Sequence, residues 1–387
     1  MIEQILVRTA EIPMARPFVH AAKSRHHTAS VLVTVTARGQ RGWGEGAPRP
    51  YVTGETVASA EQALRRISPD WLNRLIDLNE FEAAVRQLAS LDLSRLVGGG
   101  QPARAAATAL EIALFDLICR LHGRSGLDGL RSTPLGARLL APTGSPAPVS
   151  CVLDLAKDPA ETISALGERA ISSIRHVKLK ATKLLDTCVR HVSAVRERFS
   201  ADTTISVDAN GDWDRATAVL AARRLAPLRV GWLEEPVRPR DWAALREVRE
   251  AGGVPVMLDE SCVDTADLEI AHALSAVDSV NARISKCGGL FPTLRLVQRA
   301  RELGLGVQLG VQVGEVGPLW AAGRLLATAL EGLATAEAGR QDDWFPVPLT
   351  EPPYAVDRER YLAGPVGGVG IGVLPGRDLN QHWEELT

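Results

Sequence analysis

Four charged side chains recur at nearly equal steps along the chain, and each ends a short apolar run. They are Lys180, Asp208, Glu234 and Asp259, separated by 28, 26 and 25 residues. This step is the length of one strand plus one helix, so we expect the four groups at the ends of successive β-strands. In a parallel barrel those ends converge on one mouth, where catalytic residues gather.

The three acidic members of this set predict a metal site. Carboxylates that face one another repel strongly unless a cation lies between them. Oxygen ligands without histidine or cysteine suit a hard divalent ion. We therefore expect Asp208, Glu234 and Asp259 to bind Mg²⁺, with Mn²⁺ as the alternative ion.

Lys178 stands two residues before Lys180, and residues two apart in a strand share one face. Two ammonium groups on one face disfavour each other's charge, which lowers the pKa of at least one toward a value that suits a general base. The alternative is a pair of solvent-facing lysines on an edge strand, which a barrel does not provide. Asn210 follows Asp208 at the same spacing and is a candidate to hydrogen-bond a ligand or the substrate.

The patterns that must position these groups predict two domains. Residues 1 to about 60 alternate like β-strands, and residues 55 to about 123 have helical periodicity, with the clearest helix over Pro102–His122. A segment rich in proline, glycine and alanine over 132–148 indicates a connector. The N-terminal α+β domain is therefore predicted over 1–131.

From residue 149 onward, apolar strand patterns alternate with helical patterns such as Ala216–Leu225 and Phe291–Leu303. This alternation predicts an α/β fold, a (β/α)₈ TIM barrel over 149–353. The final segment, 354–387, cannot extend the barrel and is expected to return to the N-terminal domain. The strand candidates lie near 149–154, 174–180, 203–208, 229–234, 254–259, 277–283, 306–310 and 333–337.

Composition limits the partners of this protein. The chain has 387 residues, 45% of them hydrophobic and 23% charged, with a net charge of −2, which favours neither nucleic acid nor a membrane surface. Its five cysteines form no C-x-x-C pair, and its start lacks the pattern of a signal peptide. We therefore expect a cytoplasmic protein that acts on a small molecule.

These motifs resemble the enolase superfamily in its muconate-lactonising and mandelate-racemase branch. The resemblance implies an N-terminal capping domain on a modified barrel, Mg²⁺ on the three carboxylates, and a homo-oligomer. It also implies removal of the proton α to a carboxylate, with Lys180 as base, Lys178 as its helper and the enolate stabilised by the metal. The motifs are GWGEGAPRPYVTGET (42–56), VKLK (177–180), VDANGDW (207–213), WLEEP (232–236), LDES (258–261) and NARISKCGG (281–289).

The chain departs from the family pattern at the sixth barrel strand. Members of this branch usually place a second catalytic lysine five residues before a Gly–Gly pair, and here that position is Arg283. Arginine is a poor proton acceptor but is well suited to hold an anion or stabilise an enolate. Arg283 could instead pair with a carboxylate such as Asp259, and Lys286 could take the lysine's place through a shift in register.

Further polar residues are candidates for substrate binding. Gln312 and Glu337 follow the seventh and eighth strand candidates, and Glu315 could either meet the substrate or cap the helix that begins near Gly317. Two loops of the capping domain, Phe18–His27 and Ala47–Thr53, match the loops that close over the site in this family. Their polar candidates are His20, Arg25, Tyr51 and Thr53.

The leading hypothesis is a Mg²⁺-dependent one-base lyase, such as a dehydratase, or a cycloisomerase that acts on a small carboxylate. The first alternative is an amino-acid or dipeptide racemase or epimerase, in which Arg283 has a modified role. The second alternative, of another class, is a catalytically inactive metal-binding scaffold protein.

Overall fold

The computed structural model describes residues 1–20, 23–154, 157–337, 344–353 and 356–379. The chain begins with an antiparallel sheet in the order β1 (Gln4–His20), β2 (Lys23–Ala37) and β3 (Gln40–Gly46). The β-branched run of β2 forms the middle strand, and Val31, Val33 and Val35 are buried in the core.

In the described residues, eight helices lie between β3 and the barrel, and the sixth of them is buried at the centre of the N-terminal domain. Helix α6 is alanine- and leucine-rich, and fifteen of its residues are buried, so it packs on all sides. The helices are α1 (Pro50–Thr53), α2 (Val57–Leu64), α3 (Pro69–Asn73), α4 (Phe81–Ser90), α5 (Leu93–Gly98), α6 (Arg104–Leu121), α7 (Gly126–Arg131) and α8 (Pro134–Leu139).

Strand β3 lies against the backbone of α6 because every second residue of its sequence is glycine. A Cβ atom on Gly44 would collide with the carbonyl oxygen of Ala109, and Gly42 and Gly46 have the same relation to Ala113 and Ala105. Glycines two residues apart in the strand therefore face alanines four residues apart in the helix. The residues between the glycines point to the other face of β3.

Eight parallel strands form the second sheet, in the order β5 to β12 with each strand beside its successor. The backbone N–H of Ser150, just before β5, donates to Ala336 O in β12 at 2.9 Å and joins the two ends of the sheet. The strands are β5 (Cys151–Leu153), β6 (His176–Lys180), β7 (Thr204–Asp208), β8 (Trp232–Glu234), β9 (Val256–Leu258), β10 (Ser279–Ala282), β11 (Gly306–Leu309) and β12 (Thr335–Ala336).

Helices alternate with these strands, as parallel pairing requires. Several begin at a side-chain cap: Asp214 accepts the N–H of Thr217 at 2.7 Å at the start of α12, for example. The helices are α9 (Pro159–Ser164), α10 (Glu168–Ser173), α11 (Leu185–Arg198), α12 (Arg215–Leu225), α13 (Trp242–Gly252), α14 (Thr265–Ala273), α15 (Ile284–Cys287), α16 (Leu290–Glu302) and α17 (Pro318–Ala329), with a 3₁₀ turn at Ala226–Leu228.

The last described part of the chain contacts helix α6 and pairs with the short strand that precedes the barrel. The N–H of Ile371 donates to Asp116 in α6 at 2.8 Å, and Val373 O accepts from Arg120 at 2.8 Å. The short strands are β4 (Ala147–Pro148), β13 (Thr350–Glu351), β14 (Val356–Asp357), β15 (Leu362–Ala363) and β16 (Leu374–Pro375), which pair as β4–β15–β14 and β13–β16.

The structure confirms the predicted fold class, a modified (β/α)₈ barrel with an N-terminal α+β capping domain. The predicted helix Pro102–His122 is α6, which begins two residues later, at Arg104. The segment 132–148 is more than a connector, because it contains α8 and β4. The boundaries 1–131 and 149–353, and the return of 354–387, stay predictions. No helix in the described part of the chain has the length and hydropathy to cross a membrane.

Gly44→Ala tests the close packing of β3 on α6. The added methyl group meets backbone that cannot rotate away, so we expect a loss of about 1–3 kcal/mol in the free energy of unfolding. Gly323→Ala, in the middle of α17, is the matched control, because no atom lies within 4 Å of its added Cβ. The control should be neutral or stabilising by up to about 1 kcal/mol in urea unfolding. Equal stability of the two variants would contradict this packing.

Candidate active site

The barrel places the predicted charged residues on adjacent strand ends. Lys180 pairs in register with Asp208, and Asp208 pairs with Glu234. Asp259 directly follows β9, and Arg283 directly follows β10. All five are buried at one end of the barrel, so the regular step in sequence corresponds to neighbours in space.

Lys178 is the centre of the charge network. Its Nζ lies 3.0 Å from Asp208 Oδ2, 2.9 Å from Glu234 Oε1 and 2.7 Å from Glu337 Oε1. Burial lowers the pKa of Lys178, but the three carboxylates outweigh it and raise that pKa well above the usual range. The pKa lowering expected for at least one of the two lysines is therefore not found at Lys178, because three carboxylates lie within 3.0 Å of its ammonium group.

Lys180 lies at the wall of the cavity. Its Nζ donates to Asp208 Oδ2 at 2.6 Å and to Asn210 Oδ1 at 3.0 Å, and it lies 5.8 Å from the centre of the Phe18 ring. Asn210 has a φ of 48°, in the left-handed region, which turns the chain after β7 and brings the amide back toward the lysine. The ammonium group of Lys180 therefore donates to two side chains at the end of β7, and Lys180 also lines the cavity.

Asp259 is held by two cations. Arg283 donates through Nη2 to Asp259 Oδ2, and the same atom lies 3.8 Å from Glu234 Oε1. Lys286 donates to Asp259 Oδ1 at 3.0 Å, to Asp259 O at 2.7 Å and to Asn281 O at 2.6 Å. The pairing of Arg283 with Asp259 is thus present. Lys286 lies in α15, fully buried and away from the cavity, so it does not replace Arg283 there.

Glu235 fixes the backbone that carries Asp259. Its carboxylate accepts the N–H of Asp259 at 2.8 Å, the N–H of Ser261 at 3.0 Å and the hydroxyl of Ser261. Burial raises the pKa of Glu235 to about 7, although these donors lower it. The residue therefore positions a neighbouring strand end and does not face the cavity.

Glu260 is a cavity residue that the sequence analysis missed. Strand alternation predicts that it faces away from the site, but β9 ends at Leu258 and the turn directs Glu260 into the cavity wall. It accepts from Asn210 Nδ2 at 3.2 Å. Burial, together with the charges of Glu235 and Asp208, raises its pKa to about 8, so the carboxyl is largely protonated at neutral pH.

The cavity lies between the strand ends and the capping domain. It brings together five of the predicted substrate-binding residues: Asn210, Gln312, Glu337, Arg25 and Tyr51. Although burial raises the pKa of Glu337, the charges of Lys178 and Arg283 lower it below its usual value. Glu337 therefore lines the cavity as the partner of Lys178 in an ion pair.

Two predicted residues do not join this set. Thr53 lies in α1 and does not line the cavity, and the side chain of His20 lies outside the described residues.

The cavity contains a further ion pair that the sequence analysis missed, Arg16 with Asp154. Arg16 donates to Asp154 at 2.7 Å and lies 4.3 Å above the ring of Trp344. A signal was present for Asp154, since it ends the first strand candidate just as Lys180 ends the second.

The donor chemistry fits a hard divalent ion at this end of the barrel. Asp208, Glu234 and Asp259 are buried carboxylates on three consecutive strands, without histidine or cysteine. Across the described residues, no three acidic, histidine or cysteine side chains converge on a single metal position, since Lys178 and Arg283 bridge these carboxylates. The predicted ligand set therefore stays a prediction that the donor set supports.

Fold and site together define a capped (β/α)₈ barrel with lysines, carboxylates and an arginine at the strand ends. Residues 160–378 match the model of the enolase C-terminal domain-like family, and residues 2–128 match the mandelate racemase / muconate lactonizing enzyme N-terminal domain. The chain belongs to this family and is an enzyme of the enolase superfamily.

Curated relatives of this chain are isomerases. It is 28% identical over 315 residues to the N-succinyl-L-Arg/Lys racemase of Bacillus cereus, which covers 81% of this chain and 80% of the racemase. It is 24% identical to the hydrophobic dipeptide epimerase of Enterococcus faecalis, over 96% of this chain and 99% of the epimerase.

Solved structures agree with the fold. The muconate lactonizing enzyme from Pseudomonas fluorescens, complexed with muconolactone, has a TM-score of 0.80 at 21% identity, covering 98% of this chain and 97% of that one. The Enterococcus faecalis dipeptide epimerase, complexed with Mg and L-Leu-L-Tyr, has a TM-score of 0.76 at 23% identity, covering 96% and 99%.

Lys286→Met tests whether this buried lysine is structural. Removing the ammonium takes away one of the two cations that hold Asp259 and one buried donor to the carbonyl groups of Asp259 and Asn281, so we expect a loss of about 3–5 kcal/mol in the free energy of unfolding. Lys183→Met is the control, because Lys183 is 70% exposed and 3.8 Å from Asp212. That variant should lie within about 0.5 kcal/mol of wild type. A Lys286→Met protein as stable as wild type would refute the structural role.

Proposed function

We propose that the protein is a racemase or epimerase that removes and returns the proton α to the carboxylate of an amino-acid derivative, such as an N-acyl amino acid or a dipeptide. Curated relatives support this alternative better than the one-base lyase, which was the leading hypothesis from the sequence. The observation that carries the proposal is the placement of Lys180 and Arg283 in one cavity. Lys180 ends the second of the eight barrel strands and Arg283 follows the sixth; these strands are four apart and therefore on opposite sides of the barrel.

Lys180 is the group that we propose takes the α-proton. An amine at the cavity wall has the reach and basicity of a general base once it gives up its own proton. Asp208 and Asn210 hold its Nζ in place, so the direction of proton transfer is set before a substrate binds. Lys178 cannot share this role, because three carboxylates surround it and stabilise its charged form.

Asp208, Glu234 and Asp259 are the residues that we propose hold Mg²⁺. When bound, the ion supplies positive charge beside the substrate carboxylate, where negative charge grows as the α-proton leaves. The protein's own contribution is to keep these three carboxylates buried and paired with Lys178, Arg283 and Lys286.

Arg283 has a different role in each of the two candidate reactions, epimerisation and one-base cycloisomerisation. In the epimerase it exchanges a proton on the face of the substrate opposite Lys180, which requires the guanidinium to act as an acid and its neutral form as a base. A one-base cycloisomerase is the second candidate. It is favoured by the residue type at position 283, since arginine is a poor proton acceptor, and by the ion pair of Arg283 with Asp259.

A matched pair of variants tests the base and the metal ligands. Lys180→Ala should lower deuterium exchange at the substrate α-carbon by at least about 10³-fold, because the proton acceptor is gone. Its affinity for Mg²⁺ in calorimetric titration should stay close to that of wild type. Asp208→Asn should weaken Mg²⁺ binding by at least about tenfold, because it removes one anionic ligand. Normal exchange in Lys180→Ala, or normal Mg²⁺ affinity in Asp208→Asn, would refute the corresponding assignment.

Arg283 variants separate the two candidate reactions. Incubation in D₂O with each stereoisomer of a panel of N-acyl amino acids and dipeptides should show inversion by wild type. Arg283→Met should lose exchange for one stereoisomer by at least about 10²-fold and keep it for the other, which faces Lys180. Arg283→Lys should restore both. If wild type exchanges one isomer without inversion and Arg283→Lys creates inversion, the one-base reaction is correct.

A further inference from the structure

The β11–α17 loop, residues 310–317, forms one wall of the cavity. Val311, Gln312 and Val313 line it. The N–H of Val311 donates at 3.2 Å to Oε2 of Glu337, whose other oxygen holds Lys178. The backbone of this loop therefore sets the shape of the cavity wall and connects to the charge network.

Three side chains of the capping domain hold this loop by its backbone. Thr28 donates its hydroxyl to Gly314 O at 2.5 Å, and Arg49 donates to Val313 O at 3.1 Å. Glu45 accepts three N–H groups at the end of the loop: Val316 at 2.8 Å, Gly317 at 2.9 Å and Leu319 at 3.2 Å. The wall of the barrel cavity is thus fixed from outside the barrel.

Helix α17 depends on Glu45 for its N-terminal cap. Its N-cap residue is Gly317, which offers no side-chain acceptor. Glu315, a candidate for this cap from the sequence, instead accepts the N–H of Gln312 at 2.7 Å inside the loop. Of the two alternatives for Glu315, the cap is therefore taken by another residue, because the carboxylate of Glu45 reaches the start of the helix from the neighbouring domain.

The position of Glu45 is determined by its own strand. Gly44 and Gly46 press one face of β3 against α6, so Glu45 between them must point to the opposite face, toward α17. Ser30 on β2 donates to Glu45 Oε1 at 2.9 Å and fixes the carboxylate. A buried carboxylate with four donors is a rigid anchor, since its loss leaves several buried N–H groups without an acceptor.

We propose that Glu45 is a positioning residue for catalysis: it holds the β11–α17 loop in the conformation that binds substrate. The inference rests on the proposed function for the identity of the substrate, but its structural part does not. Glu45 acts through the loop backbone on Gln312 and on the hydrogen bond from Val311 to Glu337.

Glu45→Gln is the variant that tests this role. It keeps the shape of the side chain but replaces one acceptor oxygen by an NH₂ group that faces backbone N–H donors. Asp116→Asn is the matched control. Asp116 is also a buried carboxylate, accepting the N–H groups of Trp43 at 3.0 Å and Ile371 at 2.8 Å, but it lies on α6 and does not line the cavity.

Two measurements are made on both variants: amide hydrogen exchange of residues 311–319, and KM and kcat with the racemase substrate panel. We expect exchange in this segment to rise by at least about tenfold in Glu45→Gln and to stay near wild type in Asp116→Asn. We also expect KM to rise by about tenfold in Glu45→Gln with kcat changed by less than about threefold, because the loop contacts the substrate. A general loss of stability would affect both variants alike and leave KM unchanged.

Each outcome decides the inference. Unchanged exchange of residues 311–319, or faster exchange with an unchanged KM, overturns it. Hydrogen exchange needs no substrate, so it tests the structural part of the inference even if the wild-type enzyme turns over no member of the panel. Absence of turnover by the wild-type enzyme would count against the proposed function and not against the role of Glu45 in the loop. If Glu45→Gln does not fold, Ser30→Ala, which removes one donor to Glu45, should show the same pattern at about two- to threefold.

Discussion

The buried ammonium of Lys178 is the interaction on which the site depends. It lies within hydrogen-bonding distance of carboxylates from β7, β8 and the end of β12, so one positive charge joins three strand ends of the barrel. Without it, Asp208, Glu234 and Glu337 would face one another in a region of low dielectric constant. Lys180, at the next position on the same strand face, also lines the cavity and is bound to one of these carboxylates, Asp208.

The capping domain stabilises parts of the barrel that lack partners of their own. Glu45 caps α17, and Glu111 on α6 accepts the N–H of Phe291 at 3.3 Å at the start of α16. Gly289 has a φ of 137° and no Cβ, and a side chain there would collide with Glu111. The Gly–Gly pair that marks the sixth strand in sequence is therefore also a contact between the two domains, next to the segment that carries Arg283.

The curated relatives favour an epimerase reaction, whereas the arginine at position 283 favours a one-base reaction. Racemases and epimerases among the curated relatives favour exchange of a proton on both faces of the substrate. Arg283, paired with Asp259, is less suited than lysine to accept a proton. The opposed placement of Lys180 and Arg283 is compatible with both candidate reactions, because an arginine across the cavity can bind the substrate carboxylate in either one. Chemistry at one side chain, not the fold, separates the two reactions.

The sequence by itself determined the barrel, its strand order and the four charged strand ends, because hydrophobic periodicity and a repeat of one strand plus one helix are local properties of the chain. It did not determine the direction of Glu260, which a turn brings into the cavity, or the helix cap by Glu45, whose partners are 271 to 274 residues away. Only tertiary structure decides these points, since burial and hydrogen-bond partners depend on which distant segments meet.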